Sequence, residues 1–176
     1  MKNFRERGEL ILDFRYEASA GEMRLKYFAY GSNMDPERMR RRGIRFSRRE
    51  HAVLEGFRLE FNKVSSRNPR EGYANIVKDP ESVVEGILYE IKESDLRRLD
   101  KFEGYPSHYR RTRVYVKLDD GERVEAITYI AQPEKVRSGL RPSKEYLSHL
   151  LKGCDLLSEE YCEKLRRTPI LQSLKR

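Results

Sequence analysis

Apolar and polar positions alternate over several stretches of this chain, and turn residues break the alternation at short intervals. Residues 25–30 form a short apolar-rich run that stops at Gly31-Ser32-Asn33, so they read as a strand ended by a backbone break. Residues 52–62 and 73–78 read as strands separated by the polar loop 65–72, and residues 83–91 as a further strand. Residues 109–118 and 123–131 alternate and are joined by Asp119-Asp120-Gly121, a hairpin-turn signal. Helical signals fall between these runs. Asp35-Pro36 reads as an N-cap followed by proline at the first helical position. Ser94 is expected to cap a helix of about ten residues that ends at Gly104. Pro142-Ser143 opens a C-terminal helix, and Ser158 caps another. The sum is about six strands with few helices, too few for a doubly wound sheet, so a mixed β-barrel of the α+β class is expected.

The 176-residue length favours one domain able to bury a sizeable core. Residues 1–24 read as a separate N-terminal extension. They mix charges of both signs, end in the flexible stretch Ala18-Ser19-Ala20-Gly21, and hold an apolar run at 10–14 suited to an edge strand. The domain proper is expected over residues 25–176.

Composition narrows the classes. No uninterrupted apolar run approaches the roughly 20 residues of a membrane helix, and no secretory signal is visible, so a cytoplasmic location is expected by default. Cys154 and Cys162 are too few for a disulfide framework and are expected as reduced, partly buried thiols. His51, His108 and His149 are scattered without ligand spacing, so no metal site is expected. The net charge of +8 concentrates in Arg38, Arg40, Arg41, Arg42, Arg45, Arg48 and Arg49. Such a run can serve nucleic acid. Glu37 and Glu50 dilute it, however, and no aromatics interleave it as stacking platforms, so a solvated face is the expected reading.

Two segments carry candidate chemistry. Leu96, Leu99 and Glu103 fall at i, i+3 and i+7, so a carboxylate occupies the next slot of an apolar helical stripe. Burial would disfavour its charged form, and a carboxyl tuned toward neutrality can take and return a proton. The plain alternative is a helix-terminal glutamate turned to solvent. At Tyr30-Gly31-Ser32-Asn33 a strand meets a glycine and a helix start, a geometry that offers backbone N–H groups to an anion. An ordinary strand-to-helix loop is the alternative there. Ser32 as a nucleophile lacks a neighbouring His or Lys in sequence to activate it.

Taken together, these segments resemble one family. Tyr27-Phe28-Ala29-Tyr30-Gly31-Ser32-Asn33-Met34 resembles the N-terminal signature of the gamma-glutamyl cyclotransferases. Glu85-Gly86-Ile87-Leu88-Tyr89 is similar to the strand before the family's catalytic helix, and Leu99-Asp100-Lys101-Phe102-Glu103-Gly104-Tyr105 to the segment with its catalytic glutamate. Pro142-Ser143-Lys144-Glu145-Tyr146 is similar to the family's Pro-Ser-x-x-Tyr segment, and residues 156–165 to its last helix. Order and spacing agree over about residues 25 to 168 and leave the extension uncovered.

The resemblance implies a small mixed barrel surrounded by helices. It also implies release of 5-oxoproline from a small gamma-glutamyl compound without cofactor or metal. By the same resemblance Glu103 is the general acid/base, while Tyr27, Phe28, Ala29, Tyr30, Gly31, Ser32, Asn33 and Tyr146 contact substrate. The leaving group, whether amino acid, peptide or amine, stays open, because the loop 65–72 with Arg67 and Arg70 matches no particular substrate class. The oligomeric state stays open too, with a homodimer among the options. A gamma-glutamyl amide hydrolase or acyl-transfer enzyme on the same fold, and a nucleic-acid-binding module using residues 38–49, are the competing functions.

Overall fold

The computed structural model describes residues 23–173. The expected extension lies outside the described residues except for its last two positions, as does its candidate strand at 10–14.

The elements run β1 (Arg24–Ala29), a 3-10 turn (Ser32–Met34), α1 (Pro36–Arg41), β2 (Phe46–Val64) and β3 (Gly72–Lys92). There follow α2 (Glu93–Glu103), β4 (Tyr109–Leu118), β5 (Arg123–Ala131), a second 3-10 turn (Pro133–Lys135), α3 (Lys144–Leu151) and α4 (Glu159–Arg166). The strands close into a barrel in the order β1-β3-β2-β4-β5. All neighbours are antiparallel except β1 and β5, whose parallel pairing at Tyr27 and Ile127 makes the barrel mixed.

The strands expected at 73–78 and 83–91 are one element, β3. Between them the chain makes an excursion around Pro80: the ladder steps from Phe57↔Lys78 to Glu55↔Val83. Asp79 holds the excursion by accepting from Ser82 Oγ at 2.6 Å and from the Glu81 amide at 3.2 Å. Proline and a local Asx turn look like a strand end in sequence, yet here they are a bulge that keeps pairing on both sides. The start of β2 at Phe46, inside the basic run, also differs from the expected boundary at 52.

Three of the expected helix caps hold and one does not. Asp35 accepts from the amides of Glu37 and Arg38, and Ser143 and Ser158 accept from those of Tyr146 and Tyr161. Ser94 is not a cap: α2 begins one residue earlier, directly off β3, and its N-cap position, Lys92, makes no side-chain cap bond. The amide of Glu93 instead donates to Met23 O at 3.0 Å, so the residue just before β1 satisfies the first amide of the helix.

Leu96 and Leu99 of α2 are buried with Leu147 and Leu150 of α3 and Leu165 of α4, in a layer between helices and barrel. A second cluster, including Phe28, Leu54, Val84 and Val116, is built from strands. Each fully buried leucine contributes roughly 1.5–3 kcal/mol.

Cys154 and Cys162 are joined as a disulfide, with Cα atoms 5.9 Å apart, rather than being the expected free thiols. After α3 the chain turns tightly, with Gly153 N bonded to Leu150 O and Leu157 N to Gly153 O, and this turn brings the first turn of α4 back over Cys154. Their eight-residue separation carries no motif that would have signalled the pairing. Among the described residues no helix is long and apolar enough to cross a membrane.

Candidate active site

β1 delivers its C-terminal end to a loop that is pinned on every side. Met34 N donates to Gly31 O at 3.0 Å and Asp35 N to Ser32 O at 3.2 Å, which forms the 3-10 turn. Tyr89 of β3 reaches under the turn and donates its hydroxyl to Asn33 O at 2.7 Å. The N–H groups at the start of such a turn are those its own ladder does not use.

Asn33 joins this loop to α2, although Asn33 and Glu103 are 70 positions apart. Its Nδ2 donates to Glu103 Oε1 at 3.0 Å and to the Tyr27 hydroxyl at 3.0 Å. Its Oδ1 accepts from Arg42 Nη1 at 2.8 Å. Both ends of the amide are therefore committed, which fixes its orientation and that of the carboxyl it holds. Arg42 itself lies 3.7 Å from Glu103 Oε1, with the two side chains only 14% and 17% exposed.

Glu103 is the last residue of α2. Gly104 follows in the left-handed region, with φ 64 and ψ 35, and this lets the chain leave the helix at the carboxyl. Burial pushes the Glu103 carboxyl above the usual carboxylate range, while Arg42, then Asn33, Arg38 and Lys63 pull it partly back.

A cavity lies against this carboxyl, walled by the phenols of Tyr27, Tyr30, Tyr109, Tyr129 and Tyr146. Burial pushes Tyr27, Tyr30 and Tyr109 upward, and the negative charge of Glu103 adds to it, so these rings stay neutral. Tyr30 spends its hydroxyl on Tyr129 O. The Ala74 peptide is held between two phenols: its N–H donates to the Tyr146 hydroxyl at 3.0 Å, and its carbonyl accepts from Tyr109 at 2.9 Å. Gly31 faces the same place. A Cβ there would stand 3.1 Å from Ala74 Cβ and 3.3 Å from the Tyr146 hydroxyl, so its bare backbone keeps the cavity open.

Of the residues singled out from sequence, Tyr27, Tyr30, Gly31, Ser32, Asn33, Glu103 and Tyr146 all line this cavity. Phe28 and Ala29 do not. Phe28 is fully buried in the strand-built cluster and Ala29 in the layer beneath the helices. In a strand alternate side chains face opposite ways, so a continuous motif cannot place every member at one site. Tyr109, Tyr129 and Ala74 were not singled out. Both tyrosines lie in alternating strands, where aromatic positions read as core. Arg42 was assigned to the solvated basic face, yet it reaches the carboxyl. Three others of that face are ion-paired: Arg40 with Glu37, Arg48 with Glu50, and Arg49 with Asp155.

The closed mixed barrel is shared with solved structures of gamma-glutamyl cyclotransferases. One structure titled gamma-glutamyl cyclotransferase superposes with a TM-score of 0.77 at 28% identity, covering 88% of this chain and 93% of that one. YkqA of Bacillus subtilis superposes with a TM-score of 0.75 at 28% identity, over 89% of this chain and 60% of the other. The family model described as gamma-glutamyl cyclotransferase, AIG2-like, matches residues 27–148, and the chain belongs to this family. In sequence the chain is 32% identical to YkqA over 146 residues, 80% of this chain and 50% of that protein. It is 30% identical to the human gamma-glutamylcyclotransferase over 80% of this chain and 76% of the human one. The chain thus spans about half of YkqA's length and about three quarters of the human protein's.

Proposed function

We propose that this protein is a gamma-glutamyl cyclotransferase that releases 5-oxoproline from a gamma-glutamyl amino acid, peptide or amine. The observation that carries the reading is the Asn33–Glu103 bond, which presents a partly buried carboxyl to a cavity of neutral phenols. In the reaction the substrate α-nitrogen attacks its own γ-carbonyl carbon. The new C–N bond closes a five-membered lactam, and the bond to the leaving nitrogen breaks. Starting from the α-ammonium and ending with the departing ammonium, two protons leave one nitrogen and two arrive on the other. Glu103 shuttles them in turn, and its raised affinity for a proton suits both halves of that task. The oxyanion formed on the way is stabilised by backbone N–H groups of the Gly31-Ser32 turn. The cavity's main contribution is positioning, because the reaction is intramolecular once the substrate is folded toward its own carbonyl.

The relatives' names and the family match support this assignment. The hydrolase or acyl-transfer alternative needs an activated nucleophile. Among the described residues Ser32 Oγ has no side-chain hydrogen-bond partner that would serve as its base. The test is incubation with a panel of gamma-glutamyl dipeptides and amines, followed by quantification of 5-oxoproline and glutamate. Release of 5-oxoproline by the wild type and its loss in Glu103→Gln is the expected result. Free glutamate as the product would overturn it.

A further inference from the structure

Beyond Glu103 the cavity adjoins an outer chamber of about 410 Å³ that shares Ser32, Glu103, Tyr109 and Tyr146 with it. Its charged lining is lopsided. Arg38, Arg42, Lys63, Arg67 and Lys101 face one carboxylate, Glu103. Arg42 is matched to that carboxylate and to Asn33. Arg67 and Lys101 are exposed and solvated. Arg38 and Lys63 differ from all of these.

Lys63 is only 3% exposed, and among the described residues no carboxylate lies within ion-pair distance of it. Its Nζ donates to His108 Nδ1 at 2.9 Å and lies over the rings of Tyr73 and Tyr109, at 5.7 and 5.6 Å from their centroids. Arg38 repeats the arrangement from the other wall. Its Nη1 donates to His149 Nε2 at 3.1 Å, and the opposite nitrogen of that ring is 2.8 Å from Asp35 Oδ2. Because Nε2 accepts, Nδ1 carries the proton and donates to Asp35. Arg38 Nε is buried without a partner. Each cation is therefore held in place by an imidazole that accepts a hydrogen bond and cancels no charge. Lys63 is buried and Arg38 partly buried, and a cation withdrawn from water costs free energy unless it is paired, so two cations left this way on one chamber are matched to an anionic ligand.

Resting on the cyclotransferase reading above, we infer that Lys63 and Arg38 select substrates whose leaving group carries two carboxylates, as in a gamma-glutamyl conjugate of an acidic amino acid. A neutral amino acid supplies one carboxylate and leaves one of the two cations unmatched; an amine supplies none. The inner cavity takes the gamma-glutamyl part, whose α-carboxylate falls to the backbone N–H groups of the Gly31-Ser32 turn, so the outer cations are left for the leaving group.

The decisive comparison is between gamma-glutamyl-glutamate and gamma-glutamyl-glutamine, which differ by one charge at nearly equal size. Release of 5-oxoproline from the glutamate conjugate is expected to exceed that from the glutamine conjugate by about tenfold in kcat/KM, the scale of one charge-assisted hydrogen bond. The ratio should shrink as ionic strength rises. Lys63→Met and Arg38→Met should each reduce the ratio toward one, whereas Lys63→Arg should keep it above that of Lys63→Met. Equal kcat/KM values for the two conjugates in the wild type, or a ratio unchanged in both methionine variants, would overturn the inference and leave the cyclotransferase assignment standing. No 5-oxoproline from either conjugate or from any other member of the panel of gamma-glutamyl dipeptides and amines would overturn the cyclotransferase assignment itself. The wild-type comparison needs no variant to fold.

Discussion

Removing a single oxygen from Tyr146 separates two consequences that sequence reasoning places in one residue. The hydroxyl lines the cavity, and it also accepts the Ala74 N–H at 3.0 Å. Ala74 is 3% exposed, so in Tyr146→Phe its amide is left without a partner in a place water does not readily reach. An orphaned buried donor costs about 1–3 kcal/mol. For a domain of this size about 1 kcal/mol shifts Tm by roughly 2–4 °C, which gives a fall of about 2–12 °C. The ring itself stays, so its tilted contact with Tyr73 at 4.8 Å and its edge contact with Phe61 at 6.5 Å survive. Catalysis should drop separately. The proton of the Tyr146 hydroxyl is not used by Ala74, and one neutral hydrogen bond lost to substrate is about 0.5–1.5 kcal/mol, or roughly two- to thirteenfold in kcat/KM. Thermal unfolding and 5-oxoproline release on the same preparation measure both. An unchanged Tm would refute the role assigned to the Ala74 bond. An unchanged kcat/KM alongside a lowered Tm would leave Tyr146 as packing and remove it from substrate contact.

Glu103→Gln should abolish turnover while preserving the fold, since the amide oxygen can still accept from Asn33. Its stability effect has a definite sign. Burial raises the Glu103 pKa in the folded state, so the stability linked to this group is complete below the unfolded carboxyl pKa and is lost as pH rises through the raised folded value. Chemical denaturation should therefore find the glutamine variant gaining on wild type from acid toward neutral pH; a gain largest in acid would contradict this. Arg42→Met removes the largest influence holding the Glu103 pKa down. The acid limb of the kcat/KM profile should move to higher pH, and an unmoved limb would uncouple Arg42 from the carboxyl. Ser32→Ala should keep most of the activity, because the loop acts through its backbone; an acyl-Ser32 adduct in an intact-protein mass spectrum would count against it.

The local half of this architecture was readable because period and turn chemistry are local properties. The hairpin at Asp119-Asp120-Gly121, the Asp35, Ser143 and Ser158 caps and the stripe leading to Glu103 all follow from neighbours within a few residues. The mixed barrel itself was expected from the element pattern and the family resemblance, but the β1–β5 contact that closes it, at Tyr27 and Ile127, joins positions with no shared pattern. The excursion at Pro80 defeated a local rule by being tolerated inside a ladder. The basic run misled for a different reason. Its charges are contiguous in sequence but are split between α1, the following turn and β2, so Arg38 and Arg42 face the cavity side while Arg40 and Arg48 pair at the surface. Lys63 and His108 gave no signal at all, since a lysine and a histidine 45 positions apart meet only through the barrel.

The single amide that ties the Asn33 loop to the end of α2 also sets when this polypeptide becomes competent during its synthesis. β1 and its loop leave the ribosome well before the carboxyl they are to hold, and the phenol of Tyr146 follows later still. Contacts between such distant parts of a chain form late, because loop closure must precede them. Nascent fragments that stop short of α3 lack a wall of the pocket, so the pocket is assembled only after α3 has emerged. Recovery of activity is then a stricter gauge of complete folding than any signal from the helices or strands alone.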